Sequence, residues 1–141
     1  MGARRRGREL AIQALYQMEL TGESSSESVE HFLRHFAGGD EACSFGAELA
    51  RGVLAQLQHI DALIAASSEH WRLSRLSNVD LNVLRVATYE LLCGGVPTSV
   101  VIDEAVEIAR RFGSADSPVF VNGVLDHVAT SVGAKERQST P

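Results

Sequence analysis

A chain of 141 residues, 45% of them hydrophobic and 22% charged, has the composition of one folded globular domain and excludes a disordered or fibrous one. No apolar run approaches the ~18 residues of a membrane span, and the basic start leads into Glu9, Gln13 and Gln17 rather than a signal-peptide core, so a cytoplasmic protein is expected. Net charge is −5, yet Arg4, Arg5, Arg6 and Arg8 all precede the first acidic residue, Glu9, and an acidic body with a basic end suits a partner more negative than itself, of which nucleic acid is the commonest; a disordered, solvated arginine tail is the equal alternative.

Period-two alternation is nearly absent while the 3.6-residue period recurs, which predicts an all-α fold of about seven helices. The first spans Arg5 to Leu20, with Leu10, Ala11, Ala14, Leu15 and Met18 on one face, and the loop Thr21–Ser26 ends it. A second carries Val29, Phe32, Leu33 and Phe36 and stops at Gly38-Gly39. The third runs from Glu41 to Gln58 with an inner stripe of Phe45, Leu49, Val53, Gln56 and Ile60, and Asp61 caps a fourth that reaches His70. Ser77-Asn78-Val79-Asp80 reads as a capping box opening a fifth helix, apolar around most of its circumference and hence central, which Gly94-Gly95 closes. A sixth begins at Thr98 or Ser99 and repeats Ile102, Ala105, Val106 and Ala109. Ser117, followed by Pro118, caps a seventh that buries Val121, Val124, Leu125 and Val128. Residues 1–132 are expected to form the domain and residues 133–141 a frayed tail.

Several constellations carry chemistry. On a helical wheel Tyr16 falls opposite the first helix's core stripe, on the side of Arg5, Glu9 and Ile12. An aromatic beside arginines suits single-stranded RNA, because unpaired bases stack on rings while guanidinium groups hold phosphates; packing of Tyr16 against another helix is the alternative. Phe120 flanks the seventh helix's buried stripe with Gly123 and His127, and a glycine there suggests close approach by a backbone or a ligand, although a phenylalanine at such a flank is more often simply core. The fifth helix has one polar stripe, Asn78, Asn82, Arg85 and Tyr89, which reads either as a docking surface or as a solvated face. His31 and His35 have a spacing that can bind zinc, but no further ligand completes a set, and Asp103, Glu104 and Glu107 lack a matched base. Cys43 and Cys93 read as buried thiols. No nucleophile–base motif or phosphate loop is present, so neither catalysis nor a cofactor is expected.

Arg4-Arg5-Arg6-Gly7-Arg8-Glu9 running into Ala14-Leu15-Tyr16, then Trp71-Arg72-Leu73-Ser74-Arg75-Leu76, Val79-Asp80, Leu84-Arg85 and Tyr89-Glu90-Leu91 can be read together with the later segments. Those are Pro97, VIDEAVEIARRF (101–112), Asp116-Ser117-Pro118 and FVNGVLD (120–126). In this order the chain resembles the bacterial NusB family of transcription antitermination factors from residue 4 to about residue 128. The resemblance implies two packed helical subdomains and binding to the boxA element of ribosomal RNA transcripts together with NusE, a small-subunit ribosomal protein, in the RNA polymerase antitermination complex. It places Arg4, Arg5, Arg6, Arg8 and Tyr16 in one RNA-contacting region and Asp116 and Phe120 in a second. It assigns Asp80, Arg85 and Tyr89 to the NusE-facing surface. Gly7 stands where Ala is common and is expected to loosen the first helical turn; Asp103 stands where Asn is common. The rival readings are a homodimeric interaction module that masks its own RNA face and the RNA-targeting module of an rRNA methyltransferase system. The free chain is expected to be a monomer or a homodimer.

Overall fold

The computed structural model describes residues 2–22, 26–36, 40–68 and 75–134, and among these the 3.6-residue period becomes seven α-helices and no strand. They are α1 (Ala3–Thr21), α2 (Ser26–Phe36), α3 (Glu41–Ala55), α4 (Leu57–Ser67), α5 (Asn78–Cys93), α6 (Thr98–Phe112) and α7 (Ser117–Ser131). The chain divides into two compact units, Met1–Leu57 and Gln58–Pro141. The expected stops at Thr21–Ser26 and Gly38-Gly39, the fourth helix's end at His70, and the Trp71–Ser74 segment lie wholly or partly outside the described residues, as do the side chains of Leu33 and Phe36. No described helix is long and apolar enough to cross a membrane.

In the first unit α1 packs on α3 and α2, and α2 on α3. The predicted stripe of α1 is buried throughout, together with Val29 of α2 and Leu49, Ala50 and Val53 of α3. With two neighbours, α1 buries a wider arc than a single stripe, and Arg8, Glu9 and Ile12 lie inside it. The helix ends where Gly22 turns left-handed at φ 78° and donates its N–H to the Met18 carbonyl at 2.8 Å. Asp40 opens α3 by accepting from the N–H groups of Ala42 and Cys43 through Oδ1, at 3.1 and 3.3 Å. The continuous helix expected to Gln58 is interrupted: Gln56 leaves helical geometry at φ −124°, ψ 24° and is exposed, and Ile60 belongs to α4. Neither Gly nor Pro marks this break, so the apolar period runs through it without a visible stop.

In the second unit α5 is the centre of a three-helix packing with α6 and α7, buried from Leu81 to Thr88 and again at Glu90 and Leu91. Ser77 Oγ accepts from the Asp80 N–H at 3.1 Å at its start, and Gly94, at φ 74°, closes it. In α6 the predicted Ile102, Ala105 and Ala109 are buried along with Val101 and Ile108, whereas Val106 is half-buried. The cap of α7 differs from expectation. Asp116 holds the N-cap position without a side-chain cap bond, Ser117 is already helical, and the Ser117 hydroxyl accepts from the Ser114 N–H at 3.0 Å. That hydroxyl sits 2.5 Å from where a Cβ on Gly113 would project, so only glycine fits the α6–α7 corner. All four predicted core residues of α7 are buried. The tail expected to fray from 133 is held at its start: Ala134 is buried and its carbonyl accepts from Thr98 Oγ1 at 3.2 Å. The cysteines correct a further expectation, since Cys93 is exposed and Cys43 half-buried.

Candidate nucleic-acid interface

The basic cluster falls on the first turns of α1, where the four arginines take different surroundings. Arg4 and Arg6 are exposed and Arg5 is half-buried. Arg8 is only 5% exposed. Positions four apart share a helix face, so Arg4 and Arg8 meet the same neighbour, the Phe45 ring of α3. Their guanidinium carbons lie 4.5 and 5.5 Å from its centroid, within cation–π range. Arg6 points elsewhere and lies 3.7 Å from the buried carboxylate of Glu9. Arg4 and Arg6 therefore offer guanidinium groups to solvent, while Arg8 is drawn into the packing.

The close approach of α1 and α3 depends on two glycines. A Cβ on Gly7 would stand 2.7 Å from the Phe45 ring and 3.0 Å from the Ala42 carbonyl oxygen; one on Gly46 would stand 2.9 Å from the Gly7 carbonyl oxygen. Gly7 thus does not loosen the helix end, as its residue type suggested. Its missing side chain is the space that the ring fills. Tyr16 is half-buried further along α1. It lies 11 residues from Arg5 and on the same side, roughly 16 Å along the axis at ~1.5 Å per residue.

The second set of predicted residues lies at the start of α7, in the other unit. Asp116 is exposed, and its carbonyl accepts from the N–H of Phe120, half-buried one turn on. Beside it Val119 is 80% exposed, an unusual degree for so apolar a side chain. The close backbone approach inferred from Gly123 does not occur, because nothing lies within 4 Å of where its Cβ would be. That face of α7 is open, and His127 on it shares a 2.8 Å hydrogen bond with Ser67 Oγ of α4.

The polar stripe of α5 corrects the outward-facing reading in part. Arg85 is 7% exposed; its Nε and one terminal nitrogen donate to the two carboxylate oxygens of Asp61, both at 2.9 Å, and the other donates to Asn82 Oδ1 at 3.0 Å. Asn82, fully buried, donates in turn to the Asn78 carbonyl at 2.8 Å. The planar fork is filled by this bidentate pair, so Arg85 ties α5 to α4 and is not free to meet a partner directly. It also displaces the expectation that Asp61 caps α4, since Asp61 lies within that helix. Asp80 and Tyr89 are half-buried, and Asp80 Oδ1 has no hydrogen-bond partner among the described residues. Elsewhere the rings of His31 and His35 stack at 6.3 Å, and Glu107 pairs with Arg110 at 3.3 Å.

Neither Phe45 nor Asp61 stands out in the sequence as a site residue. Phe45 keeps the helical period and so reads as core, and nothing local announces a pairing with α1 across some forty positions.

The helical framework and the guanidinium-rich end of α1, backed by an aromatic ring, describe an all-α protein with a basic helix end. Residues 5–130 match the NusB family model, and the chain belongs to that family. Transcription antitermination protein NusB of Geobacter sp. (strain M21) is 43% identical over 96% of this chain and 100% of its own length. The protein of the same name from Geobacter sulfurreducens is 44% identical over 96% and 99%. Among solved structures, T. maritima NusB superposes with a TM-score of 0.83 at 42% identity, covering 95% of each chain. A chain from the crystal structure of the antitermination factors NusB and NusE in complex with dsRNA has the same fold, with a TM-score of 0.80 at 24% identity over 92% of this chain and 97% of that one. The chain is a transcription antitermination factor and not an enzyme.

Proposed function

We propose that the chain binds boxA-containing single-stranded RNA of ribosomal RNA transcripts jointly with the ribosomal protein NusE, and so joins the RNA polymerase antitermination complex in the cytoplasm. Arg4, Arg5 and Arg6 supply phosphate contacts, Tyr16 and Phe120 supply stacking surfaces, and Asp116 accepts hydrogen bonds from base edges. Arg8 contributes from within the packing rather than by direct contact. Asp80 and Tyr89 face NusE, and Arg85 holds α5 in place behind them.

The observation that carries this reading is the first turn of α1, where a protein of net charge −5 exposes Arg4 and Arg6 beside Arg5. A solved relative of the same fold, described with NusE and dsRNA, supports the choice of partner class. The test is a pull-down of this chain with its cognate NusE and a boxA transcript, omitting each component in turn. Retention of both partners, strongest when all three are present, is expected; a transcript retained equally well without this chain overturns the reading.

A further inference from the structure

Taking α1 as the RNA-binding helix, we infer that Phe45 is a positioning residue for it: the ring clamps Arg4 and Arg8 and fixes the basic end of α1 before RNA arrives. This rests on the RNA-binding reading above and names a residue that the reading does not contain.

The geometry has three independent parts. The ring is approached by two guanidinium groups from successive turns of α1, at 4.5 and 5.5 Å, a double contact that a single exposed stack would not produce. Phe45 is half-buried on α3, a helix capped by Asp40 and packed against α1, so the ring reaches α1 from a separate element. Both helices carry glycine where they cross, and a Cβ on Gly7 would strike that same ring at 2.7 Å. Gly7 and Phe45 therefore fit as a pair, the glycine on α1 admitting the aromatic of α3.

The physical consequence concerns entropy and charge. A free arginine loses rotamer freedom when it grips a phosphate, and that loss weakens binding. An arginine already laid on a ring has lost most of it, while its N–H groups, which lie in the guanidinium plane, remain available to an anion at the edge. Arg8, buried on the same ring, is then the inner half of the clamp and Arg4 the outer half that meets RNA.

Binding of a fluorescent boxA-like single-stranded RNA by anisotropy, with Phe45→Leu, Phe45→Met and Phe45→Tyr variants, tests this. Leu and Met should each weaken binding roughly three- to tenfold while the chain keeps its helical circular dichroism, and Tyr, which retains the ring face, should stay within about twofold. Arg4→Ala should cost less in the Phe45→Leu background than in the native one, since an unclamped Arg4 has less to lose; a merely structural ring would give additive losses. Without RNA, the Arg4 Nε–H proton resonance should move out of its ring-shifted position in Phe45→Leu. Native affinity in both Phe45→Leu and Phe45→Met, or additive losses, would overturn the clamp while leaving the RNA reading intact. Unchanged affinity on replacing Arg4, Arg5 and Arg6 together would overturn both.

Discussion

The two units handle arginine in opposite ways. In Met1–Leu57 the cations of Arg4 and Arg8 lie on an aromatic face, and Arg4 stays open to solvent. In Gln58–Pro141 Arg85 is enclosed, and its fork is filled by Asp61 and Asn82. A ring orders a guanidinium while leaving its charge available; a bidentate carboxylate orders it and neutralises it. The first arrangement suits binding and the second suits architecture. The glycines repeat the contrast, since Gly7 is surrounded by α3 whereas Gly123 faces open space.

The contrast is broken most severely by removing Asp61. Asp61→Ala leaves the Arg85 cation buried without its carboxylate, which should destabilise the protein by about 3 kcal/mol in urea unfolding, with RNA affinity of the folded fraction unchanged. A destabilisation under about 1 kcal/mol would mean that the pair is no more than a surface ion pair. Next in size, replacing Arg4, Arg5 and Arg6 by Ala should lower RNA affinity on the order of a hundredfold and reduce the salt slope by roughly 0.7 for each phosphate that is no longer neutralised. Thermal stability should barely move, the reverse of Asp61→Ala.

The glycine substitutions are subtler. Gly7→Ala inserts a methyl against Phe45 and the Ala42 carbonyl, so its thermal midpoint should fall, equivalent to a net destabilisation of about 1–2 kcal/mol, despite alanine's better helix propensity. Gly123→Ala meets nothing and should stabilise α7 by about 0.5–1 kcal/mol. Opposite signs from one chemical change are expected; equal signs would show that the α1–α3 crossing relaxes freely.

Much of the fold was legible residue by residue. Gly94 closes α5 at positive φ as its residue type foretells, and Val121, Val124, Leu125 and Val128 are buried because a 3.6-residue stripe needs a neighbour whichever neighbour arrives. The failures differ in range. Gln56 ends α3 without a breaker residue, and Ser117 gives the cap position to Asp116 while its hydroxyl bonds Ser114 three residues back. Arg85 turns inward although its helical neighbours are polar, because it meets Asp61 of α4, which local spacing does not encode.

The sequence by itself determined the helical elements and the place of the arginine cluster, because periodicity, caps and charge act over one or two turns. Through the motifs at 101–112 and 120–126 it also marked the NusB family. Only the tertiary structure decided what surrounds each arginine: Arg8 is packed against the Phe45 ring and Arg85 is enclosed by Asp61, while Arg4 and Arg6 stay exposed. The ring and the Asp61 carboxylate come from other helices, tens of residues away along the chain, where desolvation and pairing outweigh anything the local sequence expresses.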